Sequence, residues 1–173
     1  MSDNYQLEDH KGNILVVDDN PTNLLLLSKI LGRNGYKVQA APDGNFALRI
    51  VAESKLPDLI LLDIMMPDLD GYEVCRHLKA SERSRNIPVI FISALNETTE
   101  KLKAFNLGGI DFITKPFVPE EVLARVKTHL TLSRMQKQLE IQNIQLQHEI
   151  AERQQVQMAL QKAHDELEIR VQE

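Results

Sequence analysis

Short apolar runs alternate with helix-forming segments along the first 130 residues of the chain. Runs such as NILVV (13–17), DLILL (58–62) and PVIFIS (88–93) are apolar almost throughout, which indicates strands buried on both faces of a sheet. A segment with helical spacing follows each strand, and the first begins at Pro21 and ends before Gly35. This strand–helix unit occurs five times, which predicts an α/β fold with a doubly wound, five-stranded parallel sheet.

The pattern changes after Pro119, beyond which the chain contains neither glycine nor proline. Residues 134–173 are rich in Gln, Glu, Leu and Ala, and apolar residues recur in a heptad frame that is interrupted by polar residues. The pattern predicts a long amphipathic helix that forms an imperfect coiled coil. The a and d positions hold Leu132, Met135, Leu139, Leu146, Val156, Leu160, Ala163 and Leu167, and the polar interruptions are Gln142, Glu149, Arg153 and Arg170.

These patterns predict three parts: a flexible leader (1–12), an α/β domain (13–130) and a coiled-coil helix (131–173) that continues the last helix of the domain. The leader is polar and acidic, unlike a secretory signal, and no apolar run reaches the roughly 18 residues of a membrane span. A net charge of −5 favours neither nucleic acid nor an anionic membrane as a partner. The single cysteine, Cys75, permits no internal disulfide and is typical of the reducing cytoplasm, where we predict the protein.

Polar side chains stand at the ends of four predicted strands. Asp18 and Asp19 follow the first strand, Asp63 follows the third, Ser93 ends the fourth and Lys115 follows the fifth. Parallel strands end at one edge of a sheet, so we expect these groups to converge there. Neighbouring carboxylates repel, and hard oxygen ligands suit Mg²⁺. A cation, an ammonium group and a hydroxyl together stabilise a transferring phosphoryl group, which predicts an acyl phosphate on Asp63.

Residues 13–130 resemble the receiver domains of two-component response regulators. The matching stretches are VVDDNP, LLDIMMPDLDGYEV, FISALNE and GGIDFITKPF, and their order and spacing match along the whole domain. The resemblance implies a flavodoxin-like receiver fold in which Asp63 accepts a phosphoryl group from the phosphohistidine of a histidine kinase or phosphotransfer protein. It also implies that Asp19, Asp63 and the backbone carbonyl of Met65 coordinate Mg²⁺, with Asp18 acting partly through water.

The same resemblance implies a switch built around the phosphoryl group. Ser93 would bond a phosphoryl oxygen and move inward, Lys115 would pair with the phosphoryl group, and the ring of Phe112 would turn inward when Ser93 shifts. The family often has Tyr where this chain has Phe112, so here no hydroxyl can form a hydrogen bond in either state. The peptide bond between Lys115 and Pro116 is expected to be cis. Structural roles are expected for Pro67, Gly71 and Pro116.

Two apolar residues are predicted to affect the lifetime of the acyl phosphate. Met65 and Leu95 lie two residues after Asp63 and Ser93. In receivers, the side chains at these positions flank the path of the attacking water. Neither apolar side chain can orient that water, so we expect the acyl phosphate to be comparatively long-lived.

The tail predicts a parallel homodimer and a signalling helix that carries the phosphorylation-dependent change onward. In the resembling family, charged residues often cross a dimer face formed by the fourth helix, the fifth strand and the fifth helix. Asp111 and Arg125 match that set. The sequence favours neither a salt bridge within one chain nor one between two subunits. The chain ends in mid-pattern at Glu173, so we expect a fragment whose output domain, for example a histidine kinase or a nucleotide cyclase, follows. The seam residues assigned to the dimer are Leu139, Leu146, Leu160 and Leu167.

Two other functions remain open beside a phospho-accepting switch that catalyses only its own phosphoryl transfer and slow dephosphorylation. A phosphatase of the haloacid dehalogenase type also uses an aspartyl phosphate, but it has a second Asp two residues after the nucleophile, where this chain has Met65. A structural dimerisation module would have no need of the acidic cluster. A DNA-binding function is disfavoured, because the tail contains no basic block.

Overall fold

The computed structural model describes residues 11–94 and 98–172. Most of the predicted leader (1–12) and Leu95 therefore lie outside the described residues. The strands are β1 (Asn13–Val17), β2 (Lys37–Ala41), β3 (Leu59–Asp63), β4 (Val89–Ser93) and β5 (Asp111–Thr114). The helices are α1 (Pro21–Arg33), α2 (Gly44–Glu53), α3 (Gly71–Ala80), α4 (Thr98–Asn106) and α5 (Pro119–Gln172).

The five strands form one parallel sheet in the order β2-β1-β3-β4-β5, which confirms the predicted doubly wound fold. The register aligns the carboxyl ends of the central strands. Val17 at the end of β1 pairs with Leu62, and Asp63 at the end of β3 pairs with Ile92. Residues that follow these positions are therefore brought to the same edge of the sheet.

A separate hydrophobic cluster covers each face of the sheet, as continuous apolar strands predict. Leu15 and Phe91 lie in the cluster that includes α3, whereas Ile14 and Ile90 lie in the cluster that includes α1 and the first turns of α5. Neighbouring residues of β1 and β4 thus point to opposite faces, and both faces exclude water. Asp63 and Ser93 thus stand at the ends of β3 and β4, two central strands whose residues are all buried.

Side-chain caps fix where three of the helices begin. Asn20 accepts a hydrogen bond from the backbone N–H of Thr22 at 2.9 Å, and Asp43 accepts one from Phe46 at 2.7 Å. Asp70 in the same way caps α3, where its Oδ1 accepts from the N–H of Glu73 at 2.8 Å. These contacts satisfy backbone donors that a helix start leaves without partners.

The chain divides into two compact units between Thr131 and Leu132. In the first unit, Val122 and Val126 of α5 are buried in the cluster on one face of the sheet. In the second unit, which we call the coil unit, the apolar side chains are exposed. Among the helices of the described residues, none combines the length and the apolar character that a membrane span requires.

Gly71, at the start of α3, lies too close to the end of β3 to accept a side chain without strain. The N–H of Gly71 donates to the carbonyl oxygen of Ile64 at 2.9 Å, so α3 begins close against the end of β3. A Cβ on Gly71 would press on the Asp63 carbonyl and lie 2.8 Å from Ile64 Cα. We therefore expect Gly71→Ala to lower the free energy of unfolding by about 2 kcal/mol or more, measured by denaturant titration.

Gly32 provides the matched control for that substitution. It lies within α1, and a Cβ there would meet no atom within 4 Å. Gly32→Ala is expected to stabilise the protein by about 0.5–1 kcal/mol, because alanine restricts the unfolded chain. Equal stability of the Gly71→Ala variant and the parent would contradict the close approach seen here.

Candidate functional site

Three carboxylates meet at the carboxyl edge of the sheet. Asp18 and Asp19 follow β1, and Asp63 ends β3. One carboxylate oxygen from each of the three lies within 4.8 Å of the others. Asp18 is 0% and Asp63 is 2% exposed, whereas Asp19 faces solvent. The structure thus brings together the three acidic residues that the strand-end pattern selects, with Asp19 at the open side.

Lys115 joins the two buried carboxylates. Its Nζ lies 3.0 Å from Asp18 Oδ2 and 3.1 Å from Asp63 Oδ1. Its backbone N–H donates to the carbonyl oxygen of Ser93 at 2.9 Å, which ties the end of β5 to the end of β4. The peptide bond between Lys115 and Pro116 is cis. The 3.1 Å distance to Asp63 places the ammonium group of Lys115 in direct contact with the predicted phosphoryl acceptor.

Asp18 has a full set of partners that sequence reasoning did not identify. Its Oδ1 accepts from the backbone N–H of Asn20 at 2.9 Å. Its Oδ2 accepts from the side-chain amide of Asn23 at 3.1 Å in addition to the bond from Lys115. An amide in the first turn of the helix after Asp18 was the available signal. These contacts hold Asp18 in place beside Asp63.

The charges of the cluster are not balanced. Burial raises the pKa of Asp63 from 3.8 to about 6, and the charge of Asp18 adds to this effect, while Lys115 opposes it. Burial alone would lower the pKa of Lys115, but its hydrogen bond to Asp18 and the charge of Asp63 outweigh burial and raise it. The chain alone therefore leaves an excess of negative charge around Asp63.

The donor set fits a hard divalent cation. Asp18, Asp19 and Asp63 offer carboxylate oxygens close together, and one lysine opposes three acidic groups. Mg²⁺ prefers oxygen ligands and commonly binds through one or two carboxylates. The raised pKa of Asp63 indicates that further positive charge at this position would be favourable.

The remaining predicted site residues lie around this cluster. Ser93 is fully buried at the end of β4, next to Ile92, which pairs with Asp63. Phe112 is buried in β5, with the Nζ of Lys101 5.6 Å from its ring centroid. Met65 is 65% exposed. Its side chain and those of Asp19, Pro67, Asp70, Tyr72 and Lys103 line an open groove beside the acidic cluster.

Asp111 and Arg125 form a salt bridge within the chain. Arg125 Nη1 lies 2.6 Å from Asp111 Oδ1, and Arg125 Nε lies 2.9 Å from Glu121 Oε1. His129 Nε2, which sequence reasoning missed, lies 2.8 Å from Asp111 Oδ2. Burial alone would raise the pKa of Asp111, but the hydrogen bonds from Arg125 and His129 outweigh it and lower that pKa. A role for this group in a dimer face stays a prediction.

Comparison with known proteins identifies the family. Residues 14–127 match the family described as the response regulator receiver domain. The chain belongs to this family. The acidic cluster of this receiver fits phosphorylation on aspartate and binding of Mg²⁺. The resemblance noted from VVDDNP, LLDIMMP and ITKPF is thereby confirmed.

Curated relatives share the receiver and extend further. The alkaline phosphatase synthesis transcriptional regulatory protein PhoP of Bacillus subtilis is 46% identical over 120 residues, which are 69% of this chain and 49% of that protein. A probable cyclic di-GMP phosphodiesterase of Vibrio cholerae serotype O1 is 38% identical over 140 residues, which are 81% of this chain and 31% of that protein. The chain thus spans less than half the length of these two relatives.

A solved structure shows the same fold. The signal receiver domain of a signal transduction histidine kinase from Syntrophus aciditrophicus is similar with a TM-score of 0.64 and 38% sequence identity. The similarity covers 69% of this chain and 90% of that chain. The receiver fold of the sheet and its helices is therefore shared with an independently determined structure.

Proposed function

We propose that Asp63 accepts a phosphoryl group from the phosphohistidine of a histidine kinase or phosphotransfer protein. The contact between the buried Asp63 carboxylate and the Lys115 ammonium, 3.1 Å apart in the acidic cluster, carries this proposal. A carboxylate with a raised pKa is a better nucleophile once it is ionised, and the lysine limits how far that pKa rises. The receiver then acts as a switch and not as an enzyme with an external substrate.

In the proposed transfer, an oxygen of Asp63 forms a bond to phosphorus as the bond between phosphorus and the histidine nitrogen breaks. The released imidazole then takes up a proton. Lys115 and the hydroxyl of Ser93 offset the charge on the phosphoryl oxygens. Asp19, Asp63 and the Met65 carbonyl would hold Mg²⁺, with Asp18 acting partly through water, and the bound ion would supply further positive charge.

The second part of the proposal is the relay of that change. The shift of Ser93 is followed by the Phe112 ring, which lies two strands from Asp63 in the sheet. α5 is the next element after β5. The conformational change at Phe112 would pass through α5 to the coil unit and a downstream output domain. A parallel homodimer, with Asp111 and Arg125 at one dimer face, then transmits the signal. Because the coil has no basic block, we do not expect this chain to bind nucleic acid directly.

The most direct test of phosphoryl acceptance uses a small donor. Acetyl phosphate with Mg²⁺ is expected to add one phosphoryl group to the chain, detected by intact mass, and Asp63→Asn is expected to abolish that addition. Beryllofluoride with Mg²⁺ should bind the parent and not the variant. An adduct of equal yield on Asp63→Asn would assign the reaction to another residue.

A phosphatase is the second candidate, because it would also form an aspartyl phosphate. Met65 stands where that class has its second acidic residue, and its side chain is apolar. Incubation with simple phosphate esters is expected to release no phosphate above the rate of the Asp63→Asn variant. Sustained turnover that depends on Asp63 would favour the phosphatase. A structural dimerisation module, the third candidate, is excluded if the acetyl phosphate adduct forms.

The dimer and the cellular setting are separate parts of the proposal. Light scattering at low concentration is expected to give the mass of a dimer, and a monomer both with and without phosphorylation would contradict this part. We also propose a cytoplasmic location, which fits a histidine kinase partner. The single cysteine, Cys75, is buried and forms no disulfide, as is typical of that compartment.

Met65 is expected to prolong the lifetime of the acyl phosphate. Its exposed side chain lines the same groove as Asp19 and offers no hydrogen-bonding group to an attacking water. Met65→Asn is expected to speed loss of phosphate from the purified chain by about threefold or more, since general acid–base and orienting groups typically contribute more than this. The decay of the adduct mass after removal of the donor measures it.

Met65→Leu is the control for this substitution, because it keeps the side chain apolar at similar volume. Its decay rate is expected to match that of the parent. The effect of Leu95→Glu, at the second predicted position, is expected in the same direction. Equal decay of Met65→Asn and Met65→Leu would remove the proposed role of Met65.

A further inference from the structure

The coil unit carries a stripe of exposed apolar residues. Leu139, Leu146 and Leu160 occupy a positions of the heptad and are 57% to 70% exposed in the single chain. Such a stripe is buried only when another helix covers it. The inference below rests on the proposed dimer, in which a second copy of this chain supplies that helix.

Two charged residues interrupt the stripe and already contact each other. Glu149 occupies a d position and Arg153 the following a position. Arg153 Nη2 donates to Glu149 Oε1 at 2.6 Å. The side chain of Glu149 is 53% exposed and that of Arg153 is 78% exposed. Helical ion pairs usually lie on the solvent face, where they contribute little. This pair lies instead on the face that the second copy would cover.

We propose that Glu149 and Arg153 set the register and direction of the coil by pairing with the same residues of a second copy. In a parallel coil, a d residue packs against the following a residue of the facing helix. Glu149 of each copy would therefore meet Arg153 of the other. The two pairs form a group of two carboxylates and two guanidinium groups with zero net charge.

A shifted register would lose this pairing. If one helix moved by a heptad, Glu149 would meet Leu160 and Arg153 would meet Val156 of the second copy. Each charge would then be partly buried in an apolar layer without a partner across the seam, which is unfavourable. Polar residues at a and d positions specify register in coiled coils for this reason.

An antiparallel arrangement is disfavoured by other residues of the seam. The antiparallel alignment that keeps Glu149 opposite Arg153 would place Gln142 opposite Leu160. It would also place Arg170 opposite Leu132. In the parallel, in-register alignment, Gln142 lies opposite Gln142 of the second copy, and the two side-chain amides can form a hydrogen bond.

Charge reversal on the full chain tests the pairing. Glu149→Arg places four positive charges in the seam of a homodimer, and Arg153→Glu places four negative charges there. Each variant alone is expected to dimerise at least about tenfold more weakly than the parent, a difference of about 1.4 kcal/mol. An equimolar mixture of the two is expected to form heterodimers, measured by sedimentation velocity and native mass spectrometry.

Glu140→Arg and Lys162→Glu are the matched controls. These residues occupy b and c positions on the outer face of the same helix, so the same kinds of charge change are expected to leave dimerisation within about twofold of the parent. If Glu149→Arg and Arg153→Glu also dimerise as tightly as the parent, the pair does not lie in the seam and the proposal is overturned.

Disulfide formation tests the direction of the helices. Leu146→Cys is expected to give a disulfide-linked dimer under mild oxidation, because residue 146 meets its own copy in a parallel coil. The parent, whose Cys75 is buried, serves as the control. An antiparallel coil would instead link Leu146→Cys to Val156→Cys, and that result would overturn the proposed direction.

These outcomes are distinct from a failure of the proposed function. A monomeric parent would overturn both the dimer and the pairing, whereas a dimeric parent that tolerates the charge changes would overturn the pairing alone. Phosphorylation of Asp63, read by intact mass, is expected in every coil variant. Its absence from the parent and all variants would overturn phosphoryl acceptance without bearing on the coil.

Discussion

Replacing Asp63 with asparagine is expected to stabilise the metal-free protein at pH 7, although the substitution removes the proposed acceptor. Asp63 is 2% exposed, and its pKa in the folded protein is raised from 3.8 to about 6 by burial and by Asp18. Above the higher of these values, the folded state holds a buried charge that the unfolded chain would leave in water. The separation of the two pKa values corresponds to roughly 3 kcal/mol. This is the upper limit of the gain in free energy of unfolding expected for Asp63→Asn.

The sign of the pH dependence follows from the same two values. Below the unfolded pKa of 3.8 the carboxyl group is protonated in both states, so the advantage of Asp63→Asn disappears. Between 3.8 and about 6 the folded parent binds a proton that the unfolded chain does not, so the stability of the parent falls as pH rises. The advantage of the variant therefore grows through this window and is complete above it.

Denaturant unfolding between pH 4 and pH 8 in the presence of a chelator measures this difference. Asp68→Asn is the control, because Asp68 lies exposed in the loop that follows β3, and asparagine tolerates its positive φ of 65°. That control is expected to change stability little at any pH. A variant Asp63→Asn that is less stable than the parent at pH 7 would contradict the charge imbalance described for the cluster.

Removing the ammonium group of Lys115 is expected to slow phosphorylation by about a hundredfold. Lys115 Nζ contacts both Asp18 and Asp63, so Lys115→Met leaves the developing charge on the phosphoryl oxygens without its cation. Loss of one positioned donor at a developing charge typically slows a reaction by about this factor or more. The rate of adduct formation with acetyl phosphate, at saturating Mg²⁺, measures the effect.

Lys127→Met provides the matched control for Lys115→Met, because Lys127 is an exposed lysine of α5. Its phosphorylation rate is expected to equal that of the parent. Circular dichroism is used to check that both variants are folded. A Lys115→Met rate within about twofold of the parent would show that the ammonium group has no part in the transfer.

The fold and the centre of the site could be predicted because both follow from local pattern. Apolar strands such as DLILL indicate burial on both faces, and a parallel sheet then brings every strand end to one edge. Asp63 and Lys115 are far apart in the sequence, yet each is placed by its own strand. The contact between them at 3.1 Å is the three-dimensional result of that rule.

Contacts made by side chains from helices could not be predicted in the same way. Asn23 reaches Asp18 from the first turn of α1, and His129 reaches Asp111 from α5. Asn23 offered one signal, as an amide in the first turn of the helix that follows Asp18, whereas His129 offered none that distinguishes it from an ordinary surface residue. The coil unit presents the opposite situation, since its heptads predict a partner helix but the polar residues within them determine which alignment is favoured.

The central claim is that Asp63 becomes phosphorylated because buried charge and a lysine prepare it for transfer. The most direct measurement gives the chain, with Mg²⁺, a phosphotransfer protein that carries a radiolabelled phosphohistidine, and follows the label. We expect the label to move to this chain, to be released by alkali as an acyl phosphate is, and to be absent from Asp63→Asn. Retention of the label on the donor by several competent phosphohistidine proteins, or equal labelling of Asp63→Asn, would contradict the account.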